Sequence, residues 1–172
     1  MNIRHAGARE CGAIADIYNH AVLNTVAIWS DHTVDGDNRL AWLKARQQAG
    51  YPVLVSEESG TITGYASFGD WRAFDGFRHT VEHSVYVHPE HQGKGIGRAL
   101  LGELIAEARR IGKHVMVAGI ESENTASLRL HQAFGFVTTA QMPQVGTKFG
   151  RWLDLTFMQL RLDERRDPDV AP

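Results

Sequence analysis

The chain has 172 residues, of which 43% are hydrophobic and 22% charged, the mix of one globular domain that builds its core without staples. Its formal net charge of −2 lacks the basic excess that phosphate backbones draw on, so no nucleic acid is expected as a partner. The single cysteine, Cys11, excludes a disulfide framework and a cysteine-rich zinc site, and makes a reducing cytoplasm the expected compartment.

The N-terminus carries Arg4, His5, Arg9 and Glu10 where a signal peptide needs an apolar run, and no stretch approaches roughly 18 uncharged apolar residues. Neither export nor a membrane is therefore expected. Residues 2–5 read as a first strand. From residue 8 onward Ile14, Ile17, Tyr18, Ala21 and Val22 recur at helical spacing, and residues 37–48 place Leu40, Trp42 and Leu43 on a second helix closed by Gly50. Residues 53–57 and 62–68 are β-rich runs joined by a hairpin signal. A loop rich in glycine and aromatics, 69–78, leads to a strand at 80–87 that Pro89 ends.

The helix at 95–111 has the clearest apolar stripe, Ile96, Leu100, Leu104 and Ala108, widened by Leu101 and Ile105. Residues 113–120 form a strand that pairs in parallel with 80–87 across this helix. A further helix at 124–134 stops at Gly135, and 151–162 is the closing strand. The order β-α-α-β-β-β-α-β-α-β predicts a mixed α/β domain with one sheet over residues 1–162, followed by a charged, Pro-bearing tail at 163–172 that reads as frayed.

Between the strand and the strongest helix lies His91-Gln92-Gly93-Lys94-Gly95-Ile96-Gly97-Arg98. Its glycines set several backbone N–H groups at a helix N-terminus without side-chain obstruction, an anion cradle. A pyrophosphate there gains charge-assisted hydrogen bonds of about 1.5–3 kcal/mol each, more than the ~0.3–1 kcal/mol of the helix dipole. The dinucleotide fingerprint G-x-G-x-x-G fails because Arg98 stands where glycine is needed, and a P-loop needs Ser or Thr after Gly-Lys, whereas Gly95 follows Lys94. Alone, the loop reads equally well as a flexible turn.

Taken in order with Val85-Tyr86-Val87 before it, and with Asn124, Ser127 and Gly135-Phe136 after it, the loop resembles the GNAT superfamily of acyltransferases. The likeness runs over nearly the whole chain, through Gln92-Gly93-Lys94-Gly95-Ile96-Gly97 as the Q/R-x-x-G-x-G/A element. It implies the GNAT acyl-CoA N-acyltransferase fold, a central, mostly antiparallel sheet flanked by helices, and acetyl-CoA as co-substrate. By position, Gln92, Gly93, Lys94, Gly95, Ile96, Gly97 and Arg98 would hold the pyrophosphate, with Val85, Tyr86 and Val87 along the pantetheine.

A narrower likeness rests on Trp71-Arg72, on Thr80 to Val87, on Arg129-Leu130-His131 and on Gly146 to Asp154, which resemble the phosphinothricin and methionine sulfoximine acetyltransferases. It implies acetylation of the α-amine of a small amino acid or analogue, and a homodimer, for which 141–160 has apolar residues to spare. An amine nucleophile must shed a proton, and Glu82, sharing a strand face with Ser84 and Tyr86, is the candidate general base.

Asn124, Ser127 and His131, at i, i+3 and i+7, could line the CoA. His131 stands where most of the superfamily has a thiolate-protonating tyrosine, so it is read either as an acid or as a packing histidine. Arg72, Arg78 and Lys148 are the cations available for a substrate carboxylate, Arg72 first, and Trp29 and Phe74 are candidate walls of the substrate pocket. His79-Thr80-Val81-Glu82-His83 spells the zinc-peptidase pattern H-x-x-E-H, but on a strand its histidines stand about 13 Å apart, and no metal is expected. A peptide or protein N-terminal acetyltransferase and a non-catalytic acyl-CoA sensor are the alternative readings.

Overall fold

The computed structural model describes residues 1–170. In chain order these form β1 (Asn2–His5), α1 (Cys11–Asn24), α2 (Gly36–Gln48), β2 (Val53–Glu58), β3 (Thr61–Asp70), β4 (Thr80–Val87), α3 (Ile96–Arg110), β5 (Val115–Glu121), α4 (Thr125–Ala133), β6 (Val137–Lys148) and β7 (Arg151–Arg161). The strands follow the hydrogen-bonded order β1-β2-β3-β4-β5-β7-β6. Pairing of β4 with β5 is parallel, and that of β1 with β2, β2 with β3, β5 with β7 and β6 with β7 is antiparallel. The expected mixed, mostly antiparallel α/β architecture is present.

One element departs from the expected order. Residues 137–148, left without a strand by the residue pattern, form β6, so the chain ends β-β. The strand shows no alternation because it is exposed at almost every position, and it carries Pro143, which an edge strand tolerates. Its ladder with β7 shifts register between Thr138 and Ala140 and between Met142 and Gly146. In the second shift Gln144 adopts a φ of 56° and its N–H donates to Asp154 Oδ1 at 2.8 Å. A bulge of this kind breaks the period-two signal.

The chain packs as two compact units. One comprises Met1–Phe68 and Ser84–Leu104. Here Ile14 and Ile17 of α1, Leu43 of α2, Val53 and Val55 of β2 and Tyr65 of β3 form one buried cluster, against which Tyr18, Trp42 and Tyr86 pack. Burial of each large apolar side chain contributes about 1.5–3 kcal/mol. The N-cap of α2 is Asp35, whose Oδ1 accepts from Asn38 N at 2.8 Å, and Gly50, at φ 75°, ends the helical segment as expected. The β2–β3 hairpin turns on Ser59 and Gly60, both at positive φ.

The other unit comprises Gly69–His83 and the chain from Ile105 onward. Its core is the ladder of β5 with β7, where Met116, Ala118, Met158 and Leu160 are buried. At the head of the charged end, expected to fray from residue 163, the described residues are held by specific contacts. Asp163 Oδ1 lies 2.7 Å from His114 Nδ1, Arg165 donates to Gly112 O at 2.7 Å, and the Arg165 side chain is nearly buried.

Within the first unit Gly64 faces the tightest backbone approach. A Cβ there would lie 2.9 Å from Tyr86 O, 3.0 Å from Leu100 Cδ1 and 3.1 Å from Ile96 Cγ2. The carbonyl is main chain and cannot swing away. Gly64→Ala is expected to cost about 1–3 kcal/mol of stability, read as a lower midpoint in urea unfolding at unchanged slope.

Candidate functional site

Two sets of residues have the chemistry of a candidate site, one in each unit. In the first unit β4 ends at Val87, and Pro89–His91 form a 3-10 turn whose first amides are capped by His88, the ring Nδ1 accepting from Glu90 N at 3.3 Å. The chain then turns on Gly93 and Gly95, at φ 76° and 80°, and a Cβ at either would meet nothing within 4 Å. Positive φ, rather than crowding, is what requires glycine at both. Gly95 O accepts from Ala99 N at 3.0 Å, which makes Gly95 the residue that starts α3. Among the described residues, no backbone hydrogen bond outside the regular elements uses the amides of Gly93, Lys94, Gly95, Ile96 or Gly97 as donors. They form an open row of N–H groups at a helix N-terminus. Gln92, Lys94 and Arg98 are exposed around them.

In the second unit Glu82 lies on β4 opposite Val117 of β5. Its carboxylate extends over Gly119, where a Cβ would stand 3.1 Å from Glu82 Oε1, 3.5 Å from Phe157 Cε1 and 3.7 Å from Leu155 Cδ1. Half-burial in these surroundings pushes the Glu82 carboxyl above its usual range, and the positive charge of Arg72 works against that rise. Arg72 is held by its neighbour, the guanidinium carbon 3.9 Å above the Trp71 ring and NH1 donating to Trp71 O at 3.1 Å. Trp71 meets Phe157 edge-on, centroids 5.2 Å apart. A carboxylate with raised proton affinity, an exposed guanidinium stacked on an indole and two aromatic walls can accept a proton from an amine while engaging an anionic group.

The remaining predicted residues fall outside that grouping or differ in role. Asn124 is the N-cap of α4, its Oδ1 accepting from Ser127 N at 3.1 Å. His131 is only 4% exposed and His83 8%, and they face each other with Nε2 atoms 3.0 Å apart. Because Ser127 O can only accept, the 2.7 Å contact with His131 Nδ1 places the proton on Nδ1. His131 Nε2 then accepts, His83 Nε2 donates, and His83 Nδ1 is left a buried acceptor without a partner. Both ring nitrogens of His131 are thus engaged inside the protein. Phe136 stands edge-on to both rings.

Arg78 turns to Asp169, 3.0 Å away, and to Asp75 O. Lys148 is buried, its Nζ 4.9 Å from the Phe149 ring centroid. Phe74 is 78% exposed, and Trp29 donates to Val26 O at 2.9 Å. As for the H-x-x-E-H pattern, His83 is taken by His131, and His79 Nδ1 lies 3.5 Å from Arg165 NH2. No group of three His, Cys, Asp or Glu among the described residues is arranged to hold a metal ion.

The model of the Acetyltransferase (GNAT) family matches residues 14–136, from α1 through the open amides to the start of β6. The chain belongs to the GNAT acetyltransferase family. It is 77% identical to the L-amino acid N-acyltransferase MnaT of Escherichia coli (strain K12), covering 99% of both chains. It is 75% identical to the L-methionine sulfoximine/L-methionine sulfone acetyltransferase of Salmonella typhimurium, covering 99% of this chain and 100% of that one. More distant relatives, at 40% identity and below, are phosphinothricin N-acetyltransferases. A solved acetyltransferase of Salmonella typhimurium with its cofactor acetyl-CoA superposes with a TM-score of 0.97 at 74% identity, covering 99% of this chain and 98% of that chain. Both resemblances drawn from the motifs, the superfamily and the narrower group, hold. No helix among the described residues is long and apolar enough to cross a membrane.

Residue patterns missed Gly119, Phe157 and the pairing of His83 with His131. A glycine inside the run Val115-Met116-Val117-Ala118-Gly119-Ile120 is the signal that marks the first, because glycine within a strand often marks a close approach of another group. The histidine pair has a measurable consequence. Burial, helped by the neighbouring His131, pushes His83 from 6.5 down to about 3, and burial also lowers His131. The folded state therefore refuses a proton that the unfolded chain takes up below about pH 6.5. The stability that the neutral rings contribute is complete above that pH and is lost as pH falls towards 3. Urea unfolding is expected to show lower stability at about pH 5 than at about pH 7, and a His83→Leu/His131→Leu double variant is expected to flatten that dependence.

Proposed function

We propose that the chain is an acetyl-CoA-dependent N-acetyltransferase acting on the α-amine of a small amino acid or analogue, of the methionine sulfoximine, methionine sulfone or phosphinothricin kind. The names of the relatives at 77% and 75% identity support the substrate class, and the neighbour with acetyl-CoA supports the co-substrate. The observation that carries the reading is the seat of Glu82, a half-buried carboxylate over a glycine that is itself exposed in the middle of β5.

In the proposed reaction Glu82 takes a proton from the substrate ammonium, and the amine lone pair attacks the thioester carbonyl carbon. The attacking nitrogen, cationic in the tetrahedral species, gives its second proton to solvent, and the species collapses as the C–S bond breaks, giving the amide and the CoA thiolate. Arg72 pairs with the substrate carboxylate. The amides from Gly93 to Gly97, with Gln92, Lys94 and Arg98 beside them, take the pyrophosphate, and main-chain groups of Val85, Tyr86 and Val87 take the pantetheine. His131 serves the fold rather than the thiolate, since its ring nitrogens are committed to Ser127 O and to His83, while Asn124 caps α4 through its Oδ1. We also propose a homodimer. Exposed Val137, Met142, Val145, Phe149 and Trp152 along β6, β7 and the turn between them, the last 66% exposed, support it, and sedimentation at micromolar concentration is expected to show twice the monomer mass.

The deciding measurement is thiol release from acetyl-CoA against free amino acids, methionine sulfoximine, methionine sulfone, phosphinothricin and short peptides. Turnover is expected with the free amino-acid analogues and not with peptides, and the reverse preference would favour an N-terminal acetyltransferase. Glu82→Gln is expected to lower kcat by roughly 10²–10⁴ with acetyl-CoA affinity unchanged. Gly95→Ala, at a positive φ that L side chains resist, is expected to weaken acetyl-CoA binding and leave the acid limb of the pH profile in place.

A further inference from the structure

Gly119 occupies an unusual position. It lies in β5, which has β4 on one side and β7 on the other. Its neighbours Ala118 and Ile120 are 1% and 6% exposed, yet Gly119 itself is exposed. The missing side chain leaves a notch in the face of the sheet. Directly opposite on β7 stands Phe157, whose ring edge lies 3.5 Å from where a Cβ would be, and Leu155 Cδ1 reaches within 3.7 Å of the same point. A third group enters this space from β4: Glu82 Oε1, 3.1 Å from the Cβ position. A Cβ rarely meets an oxygen so close, so a side chain at 119 shifts the carboxylate by a few tenths of an ångström.

We infer that Gly119 is a positioning residue of the active site, giving the Glu82 carboxylate its seat against Phe157 and Leu155 and keeping that face open to the acceptor amine. The inference rests on the reading of Glu82 as the base. Phe157 has a double part. It borders the glycine across the strand pair, and through its edge contact with Trp71 it adjoins the ring that carries Arg72. Base and substrate cation are thereby referred to one cross-strand pair, Gly119 and Phe157.

Gly119→Ala tests this. The nearest atom to the new methyl is the end of a flexible side chain, and alanine suits a strand at least as well as glycine, so the variant is expected to fold with an unchanged melting temperature and unchanged acetyl-CoA affinity. Its kcat is expected to fall about tenfold or more, because small displacements of a reacting group cost rate steeply. With the carboxylate pushed from its apolar walls towards solvent, the acid limb of the kcat profile is expected to move to lower pH, with Arg72 the charged group still facing it. In a Glu82→Gln background the alanine is expected to cost nothing further. Parent turnover with an unmoved pH profile in Gly119→Ala, or an equal loss in both backgrounds, overturns the inference and leaves the base assignment standing. Parent turnover in Glu82→Gln alone overturns the base assignment itself.

Discussion

A carboxylate kept half out of water beside a single guanidinium is the constraint on which the proposed chemistry depends. Burial raises the proton affinity of Glu82, and the charge of Arg72 limits the rise. The two effects pull in opposite directions for a reason tied to the task. A carboxylate stabilised by several hydrogen bonds would be too weak a base to draw a proton from an ammonium, and one stripped of every favourable charge would hold a proton at neutral pH and accept none. One exposed cation leaves the group between those limits. The cation rests on the face of Trp71, so its position is set by stacking rather than by an ion pair that would quench Glu82.

The glycine loop obeys a different economy. A diphosphate needs several donors converging from one side, and backbone amides supply them only if the chain adopts turns that L side chains resist. Gly93 and Gly95 take positive φ with nothing crowding them, whereas Gly97, already inside α3, is not among the glycines at positive φ. The three glycines of the motif are therefore not equivalent. Two shape the turn, and Gly97 offers its amide in the first turn of the helix without a side chain over it.

How much of this was legible in the sequence follows from how local each signal is. The stripe Ile96-Leu100-Leu104 and the alternation around Val81 and Val85 are set by neighbours a few residues away, and those elements appear within a residue or two of where the pattern puts them. β6 is set by its pairing with β7 and carries a proline and two register shifts, so no local period announces it. Glu82 and the glycine loop are candidates because motifs before and after them stand in order along the chain, since a strand face or a glycine spacing alone reads equally well as a solvated face or a turn. Arg72 ranks first among the three cations on the chain, but no local pattern announces the pairing of Arg78 with Asp169, 91 residues further along. The roles of Asn124 and His131 illustrate the same limit. The spacing i, i+3, i+7 aligns their side chains but is equally satisfied by a capping network and by a ligand face, and it does not announce the contacts with Ser127 and His83.

The engagement of His131 bears on whether transfer needs an acid at all. An ordinary thiol has a pKa of about 8.5, so its thiolate departs at neutral pH at a cost of about 1.4 kcal/mol per unit of difference, a modest part of any acyl-transfer barrier. The incoming nitrogen is in a harder position. Protonated, it has no lone pair with which to attack, and after attack it carries a positive charge until a proton leaves. A base is indispensable to that sequence and an acid is not. A ring held neutral, with one nitrogen donating to Ser127 O and the other accepting from His83, has no proton to offer a thiolate without breaking a buried contact. The proposed chemistry fits a site that concentrates its design on Glu82 and lets the thiolate collect its proton from solvent.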